Sequence, residues 1–145
     1  MSFLVQKHSG IITLETRKII SNRYKTVTKA INREFWNTLS DTQNSIYVGS
    51  YGRRTAINTS DLDILVLLPE SEYNRFDSLK GNGQSRLLQA VKNAITNSYP
   101  RSDIRADGQV VKISFSDGMK FEILPAFQNK DLWGNWDGTY SYFAY

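Results

Sequence analysis

The stretch Val48–Leu68, V-G-S-Y-G-R-R-T-A-I-N-T-S-D-L-D-I-L-V-L-L, decides how this chain is read. A Gly-Ser pair, Gly49 and Ser50, closes a short apolar run. A ten-residue spacer then leads to Asp61 and Asp63 at the head of a long apolar run. Alternate side chains of an extended strand share a face, so Asp61 and Asp63 point the same way. Two like charges side by side on a strand destined for burial repel each other and lose hydration. A divalent cation relieves both costs, and Mg²⁺, which prefers oxygen ligands, suits carboxylates. Gly49 lets backbone approach a ligand closely, while Ser50 offers a hydroxyl and a helix N-cap. A phosphate cradle beside metal-binding acids points to nucleotide chemistry.

Working outward, Ile46 to Val48 reads as a short strand, Ser50 as the cap of a brief helix over Tyr51 to Thr55, and Asn58 to Ser60 as a turn. Leu62 to Leu68 is apolar on both faces, which places it inside a sheet, and Pro69 ends it. Upstream, Leu14 to Leu39 carries helical periodicity. Its stripe of Ile20, Tyr24, Val27, Ile31 and Phe35 is core packing. Downstream, the polar segment Glu70 to Gln84 contains Gly81, Asn82 and Gly83 and reads as a connecting loop. A second helix follows with Leu87, Leu88, Val91, Ala94 and Ile95 on its buried face and Pro100 beyond its end.

Val110 to Phe115 and Met119 to Leu124 flank Asp117-Gly118, a strong hairpin signal. On the second of these strands Phe121 and Ile123 share one face, and Lys120, Glu122 and Leu124 the other. Glu122 is the natural third acid of a metal site, because an unpaired carboxylate inside the apolar run Phe121 to Phe127 would be costly. The other reading of Glu122 is a surface position on an edge strand, or an ion pair with Lys120.

Composition bounds the rest. A chain of 145 residues with 40% hydrophobic and 22% charged residues fits one domain with a real core and excludes disorder. The net charge of +4 comes from scattered Lys and Arg, which suits triphosphate substrates and makes no strong case for nucleic acid. Without cysteine there is no disulfide, zinc–thiolate site or Cys nucleophile. The single His8, in a polar stretch, reads as a surface residue rather than a ligand or triad member. No apolar run approaches the ~18–20 residues of a membrane span. The N-terminus lacks the order of a secretory signal, so a cytoplasmic protein is the default. Asp131 to Tyr145 holds Trp133, Trp136, Tyr140, Tyr142, Phe143 and Tyr145 with no clear period. It is either a loop folded back over the sheet or a segment whose packing partner lies in another chain or a missing part of the protein.

The pattern G-S, spacer, D-x-D and an acid on a later strand resembles that of the DNA polymerase β-like nucleotidyltransferases. Four segments are similar to the bacterial CD-NTases, the SMODS nucleotidyltransferases related to cyclic GMP-AMP synthase. They are G-S-Y-G-R-R-T-A-I-N-T-S-D-L-D-I, R-F-D-S-L-K-G-N-G-Q-S-R-L-L-Q-A-V, D-G-Q-V-V-K-I-S-F-S-D-G and F-E-I-L-P-A-F. The resemblance runs from the first helix to about Phe127. It implies an α+β, polymerase β-like fold, with a mixed sheet packed against a long N-terminal helix and a second helix. It places Gly49 and Ser50 on the donor phosphates, and Asp61, Asp63 and Glu122 on two Mg²⁺ ions, with Mn²⁺ as a substitute. It also offers Arg53 and Arg54 as helpers on the phosphates, although paired arginines beside a short helix are more often surface residues.

The activity so implied is the joining of nucleoside triphosphates, ATP among them, into cyclic di- or trinucleotide second messengers of anti-phage signalling. CD-NTases normally continue into a mostly helical half that walls the nucleotide cleft, so residues 1–145 correspond to their catalytic core. Two alternatives stand beside this reading. One is a toxin–antitoxin type nucleotidyltransferase that modifies protein or tRNA. The other is an inactive nucleotide-binding fragment that meets a protein partner, or the missing half, through its aromatic tail.

Overall fold

The computed structural model describes residues 12–49, 61–79 and 81–142. The periodic N-terminal segment forms helix α1, Leu14–Ile31, opened by Thr13, whose hydroxyl accepts the Thr16 N–H at 3.1 Å. A π-helical turn, Asn32–Trp36, prolongs it, and Asn37, with φ of 54°, ends it in the left-handed region. Asn32 is fully buried and explains how the chain leaves the helix. Its amide nitrogen donates to the carbonyls of Ser40 and Gln43 at 2.9 and 2.8 Å, and its oxygen accepts from Asn44 at 3.0 Å. A buried amide must find such partners, and here they come from the returning loop.

Six strands follow: β1 Ser45–Val48, β2 Asp61–Leu67, β3 Asp103–Asp107, β4 Val110–Ser114, β5 Lys120–Lys130 and β6 Trp136–Ser141. The order is β1-β2-β5-β4-β3, with β6 also paired to β5. β2 and β5 run parallel and the other pairs antiparallel. β2 is an interior strand, as its two-faced apolar run requires. Ile20, Val27 and Ile31 of α1 pack on Leu62, Ile64 and Val66 of β2 and on Phe121 and Ile123 of β5. Helix α3, Gly83–Thr96, covers the same face through Leu87, Leu88, Val91, Ala94 and Ile95. The opposite face carries a smaller cluster of Leu65, Leu67 and Ala126, flanked by Val48 and Tyr140. Helices therefore cover one face and leave much of the other open. That is the α+β arrangement of a mixed sheet, a long N-terminal helix and a second large helix.

Two segments differ from the sequence reading. The connecting loop over Glu70 to Gln84 contains an eight-residue helix, α2, Glu70–Asp77. Acidic Glu70 and Glu72 in its first turn and Arg75 in its last complement the helix dipole. Its apolar anchorage is small: Phe76 is buried, and Tyr73 meets Phe127 edge-on at 5.2 Å. In the aromatic C-terminal stretch, Trp136–Ser141 is strand β6, joined to β5 by a tight turn. Asp131 closes that turn by accepting the N–H groups of Trp133 and Asn135 at 2.9 and 3.0 Å. Leu132 and Trp133 sit at its tip, 96% and 82% exposed. The brief helix and turn expected over residues 51–60 lie outside the described residues, as does His8.

Candidate active site

The parallel pairing of β2 with β5 sets Asp63 directly beside Glu122, with Asp61 two residues earlier beside Lys120. Strand alternation buries Leu62 and Phe121 under the helices and turns Asp61, Asp63 and Glu122 to the open face. Glu122 is therefore on the interior strand β5, not an edge. Its ion pair is with Lys112 of β4, at 3.7 Å, rather than with Lys120. Lys112 stands opposite Glu122 in the β4–β5 register and also reaches Asp107 at 3.0 Å. One row across the sheet thus reads Asp63, Glu122, Lys112, Arg105.

Gly49 closes this row from β1. Val48 is the register partner of Asp63, and Gly49 follows with φ of +68°. A Cβ at position 49 would stand 2.6 Å from Asp63 Oδ2, so both the backbone angle and the space exclude a side chain. The structure accordingly brings together Gly49, Asp61, Asp63 and Glu122. Ser50, Arg53 and Arg54 lie outside the described residues.

Electrostatics mark Glu122. Partial burial pushes its carboxyl above the ordinary range, and so do a proton shared with Asp63 and the charges of Asp63 and Asp61; Lys112 opposes the shift. An acid so placed carries more negative charge in its surroundings than the protein itself neutralises. That donor set, all carboxylate oxygen and mutually repelling, fits a divalent cation in its chemistry. Among the described residues no group of three ligating side chains converges on one point. Glu122 instead sits between Asp63 on one side and Lys112 on the other.

Lys112 is the member that the sequence reading missed. The Asp117-Gly118 turn fixes the hairpin register, with the Phe115 N–H donating to the Met119 carbonyl at 2.9 Å. Counting back from that pair places Lys112 opposite Glu122. The loop holds three residues, 116–118, whereas a two-residue Asp-Gly turn would set Lys112 opposite Ile123, so the turn sequence alone did not give the register.

A parallel β2–β5 pair carrying acids on its open face, with α1 and α3 behind, is the fold of the polymerase β-like nucleotidyltransferases. The chain belongs to the Second Messenger Oligonucleotide or Dinucleotide Synthetase (SMODS) domain family, which it matches over residues 6–142.

Among solved structures it is similar to the CdnE cyclic dinucleotide synthase of Elizabethkingia meningoseptica, solved with GTP and Apcpp. The TM-score is 0.53 at 19% identity, covering 76% of this chain and 38% of that one. It is similar also to terminal uridylyl transferase 4 of Trypanosoma brucei with bound GTP, with a TM-score of 0.53 at 17% identity over 85% of this chain and 34% of that one. Identities this low show a common fold. The chain spans under two-fifths of the length of either structure. No curated protein sequence matches it. Among the described residues, no helix is long and apolar enough to cross a membrane.

Proposed function

We propose that this chain is the catalytic core of a Mg²⁺-dependent nucleotidyltransferase that joins nucleoside triphosphates into cyclic di- or trinucleotides for bacterial anti-phage signalling in the cytoplasm. The observation that carries the reading is the Asp63–Glu122 pair on adjacent parallel strands, with Asp61 on the same face, in a chain of the SMODS family. Asp61, Asp63 and Glu122 would hold Mg²⁺, or Mn²⁺ in its place. Such an ion, when bound, lowers the pKa of an acceptor hydroxyl and offsets triphosphate charge.

The chain's own residues supply the rest. Gly49, bare of a side chain beside Asp63, leaves the main chain open to the donor phosphates, with the Ser50 hydroxyl as their second contact. Glu122, its proton affinity raised by its surroundings, is suited to accept the acceptor's proton. The acceptor oxygen forms a bond to the α-phosphorus as the bond to pyrophosphate breaks, and the proton passes to the Glu122 carboxylate. The same transfer on the linear product closes the ring.

The test is incubation with radiolabelled ATP, GTP, CTP and UTP, followed by phosphatase treatment and thin-layer separation. Phosphatase-resistant cyclic products that disappear in Asp63→Asn are expected. Label on a protein or tRNA would establish the toxin–antitoxin type of enzyme instead. Tight triphosphate binding without turnover, even with Mn²⁺, would establish a binding module.

A further inference from the structure

We propose that Lys112 is a positioning residue for the acid row: it bridges Glu122 and Asp107, and it gives up Glu122 and keeps Asp107 when a divalent cation occupies the carboxylates. This rests on the function proposed above and adds a member that function does not name.

The geometry gives Lys112 two partners on opposite sides. Glu122 is its register partner on β5, at 3.7 Å, and Asp107 of β3 is the nearer contact, at 3.0 Å. Asp107 owes its place to the two-residue turn Gly108-Gln109, which sets it opposite Val110. Val110 and Lys112 are two apart on β4, so Asp107 is the diagonal neighbour of Lys112 on the open face. Gly108, with φ of +63°, supplies the left-handed residue that a two-residue hairpin turn needs.

Every other charged group on this face points to the same division of roles. Arg105, directly opposite Lys112 on β3, pairs with Asp103 at 3.0 Å, so it does not compete for Glu122. On the far side of Glu122 stands Asp63, and two residues back along the strands are Asp61 and Lys120. The Lys112 side chain is partly exposed, so its ammonium can turn without unpacking anything. With Lys112 drawn toward Asp107, Glu122 is released to Asp63 and Asp61, and the ammonium keeps an ion pair throughout. A lysine that faces the third acid across the sheet also competes with whatever cation that acid binds.

The experiment is direct titration of the chain with Mn²⁺, reading free Mn²⁺ by electron paramagnetic resonance, without nucleotide. Lys112→Met is expected to tighten Mn²⁺ binding by about three- to tenfold, since a competing charge within 4 Å is removed. Lys112→Arg keeps the charge and is expected to stay near the wild-type value. Asp107→Asn leaves Lys112 with Glu122 alone and is expected to weaken binding about threefold. In the double variant Lys112→Met/Asp107→Asn the Asp107 effect is expected to vanish, because it acts through Lys112.

Unchanged Mn²⁺ affinity in Lys112→Met, or an Asp107 effect that persists in the double variant, overturns the inference and leaves the proposed function standing. If the wild-type chain does not bind Mn²⁺, or Asp63→Asn binds it equally well, the proposed function falls and this inference with it.

Discussion

Two carboxylates on one hairpin, Asp117 at the turn and Glu122 on the strand beyond it, have opposite surroundings. Arg23 of α1 donates two hydrogen bonds to Asp117, at 2.8 and 3.1 Å, and stacks its guanidinium over Phe115 at 4.1 Å. The Met119 N–H donates to the same carboxylate at 3.1 Å. Burial alone would raise the Asp117 carboxyl, but these bonds and the Arg23 charge outweigh it and hold the group below its ordinary value. Glu122 is raised by burial and by the company of Asp63 and Asp61, and among the described residues its one ion pair is with Lys112 at 3.7 Å. The protein completes the first acid and leaves the second short of positive charge.

The sharpest way to break this contrast is to neutralise each acid in turn. Glu122→Gln is expected to slow nucleotidyl transfer by about 10²–10³-fold, while its urea midpoint stays level or rises because an opposed charge is gone. Asp117→Asn is expected to leave transfer within about twofold and to cost about 1 kcal/mol of stability, the scale of a partly exposed charged pair. Equal activity losses in the two variants would erase the distinction.

Gly49→Ala comes next. The side chain meets Asp63 Oδ2 at 2.6 Å and the backbone holds φ of +68°. A loss of about 1–3 kcal/mol in urea unfolding is therefore expected, with a fall in transfer because the displaced acid is Asp63.

Acid titration sharpens the same contrast with a smaller effect. The folded pKa of Asp117 lies below its ordinary 3.8, so the stability it contributes is full above that value and is lost as pH falls through the folded pKa. Glu122 has the reverse sign. Its folded pKa lies above 4.5, so its ionisation opposes folding, with no penalty well below that value and a full one once pH has risen through the folded pKa. Urea midpoints measured from neutral pH downward should thus fall less steeply for Asp117→Asn than for wild type. The smallest effect belongs to Trp133→Ala at the exposed hairpin tip, expected within about 0.5 kcal/mol of wild type.

What the amino-acid order disclosed follows the strength of local signals. The stripe Ile20, Tyr24, Val27, Ile31 and Phe35 announces α1, and Tyr24 uses it twice, stacking on Tyr47 at 4.1 Å and donating to the Ser45 carbonyl at 2.7 Å. Asp117-Gly118 announces a hairpin, and alternation sorts Glu122 from Phe121 and Ile123. Helix α2 was hidden because its hold on the core is little more than Tyr73 and Phe76, too few for a period. Strand β3, D-I-R-A-D, was hidden because only Ile104 is buried and the opposite face, Asp103, Arg105 and Asp107, is charged. β6 was hidden because its aromatics follow turn and strand positions without alternation. The adjacency of Asp63 and Glu122 needed the parallel pairing, a long-range fact that no local pattern carries.

β5 serves two hairpins, and Pro125 stands where they part. β4 pairs with it as far as Ile123, and β6 takes over from Phe127. Ala126 gives its carbonyl to the Leu68 N–H, so Pro125 turns its hydrogen-free nitrogen to the edge away from β2. On that edge neither the β4 nor the β6 ladder crosses Pro125, while the β2 ladder on the other edge continues past it to Ala126, so opening of the β6 hairpin need not propagate into the β3–β4 hairpin. One edge of β5 thus carries two separate hairpins, one beside the acids and the other bearing the exposed aromatics. Amide hydrogens in β6 can exchange with solvent while those of β4, and the alignment of Lys112 with Glu122, stay protected.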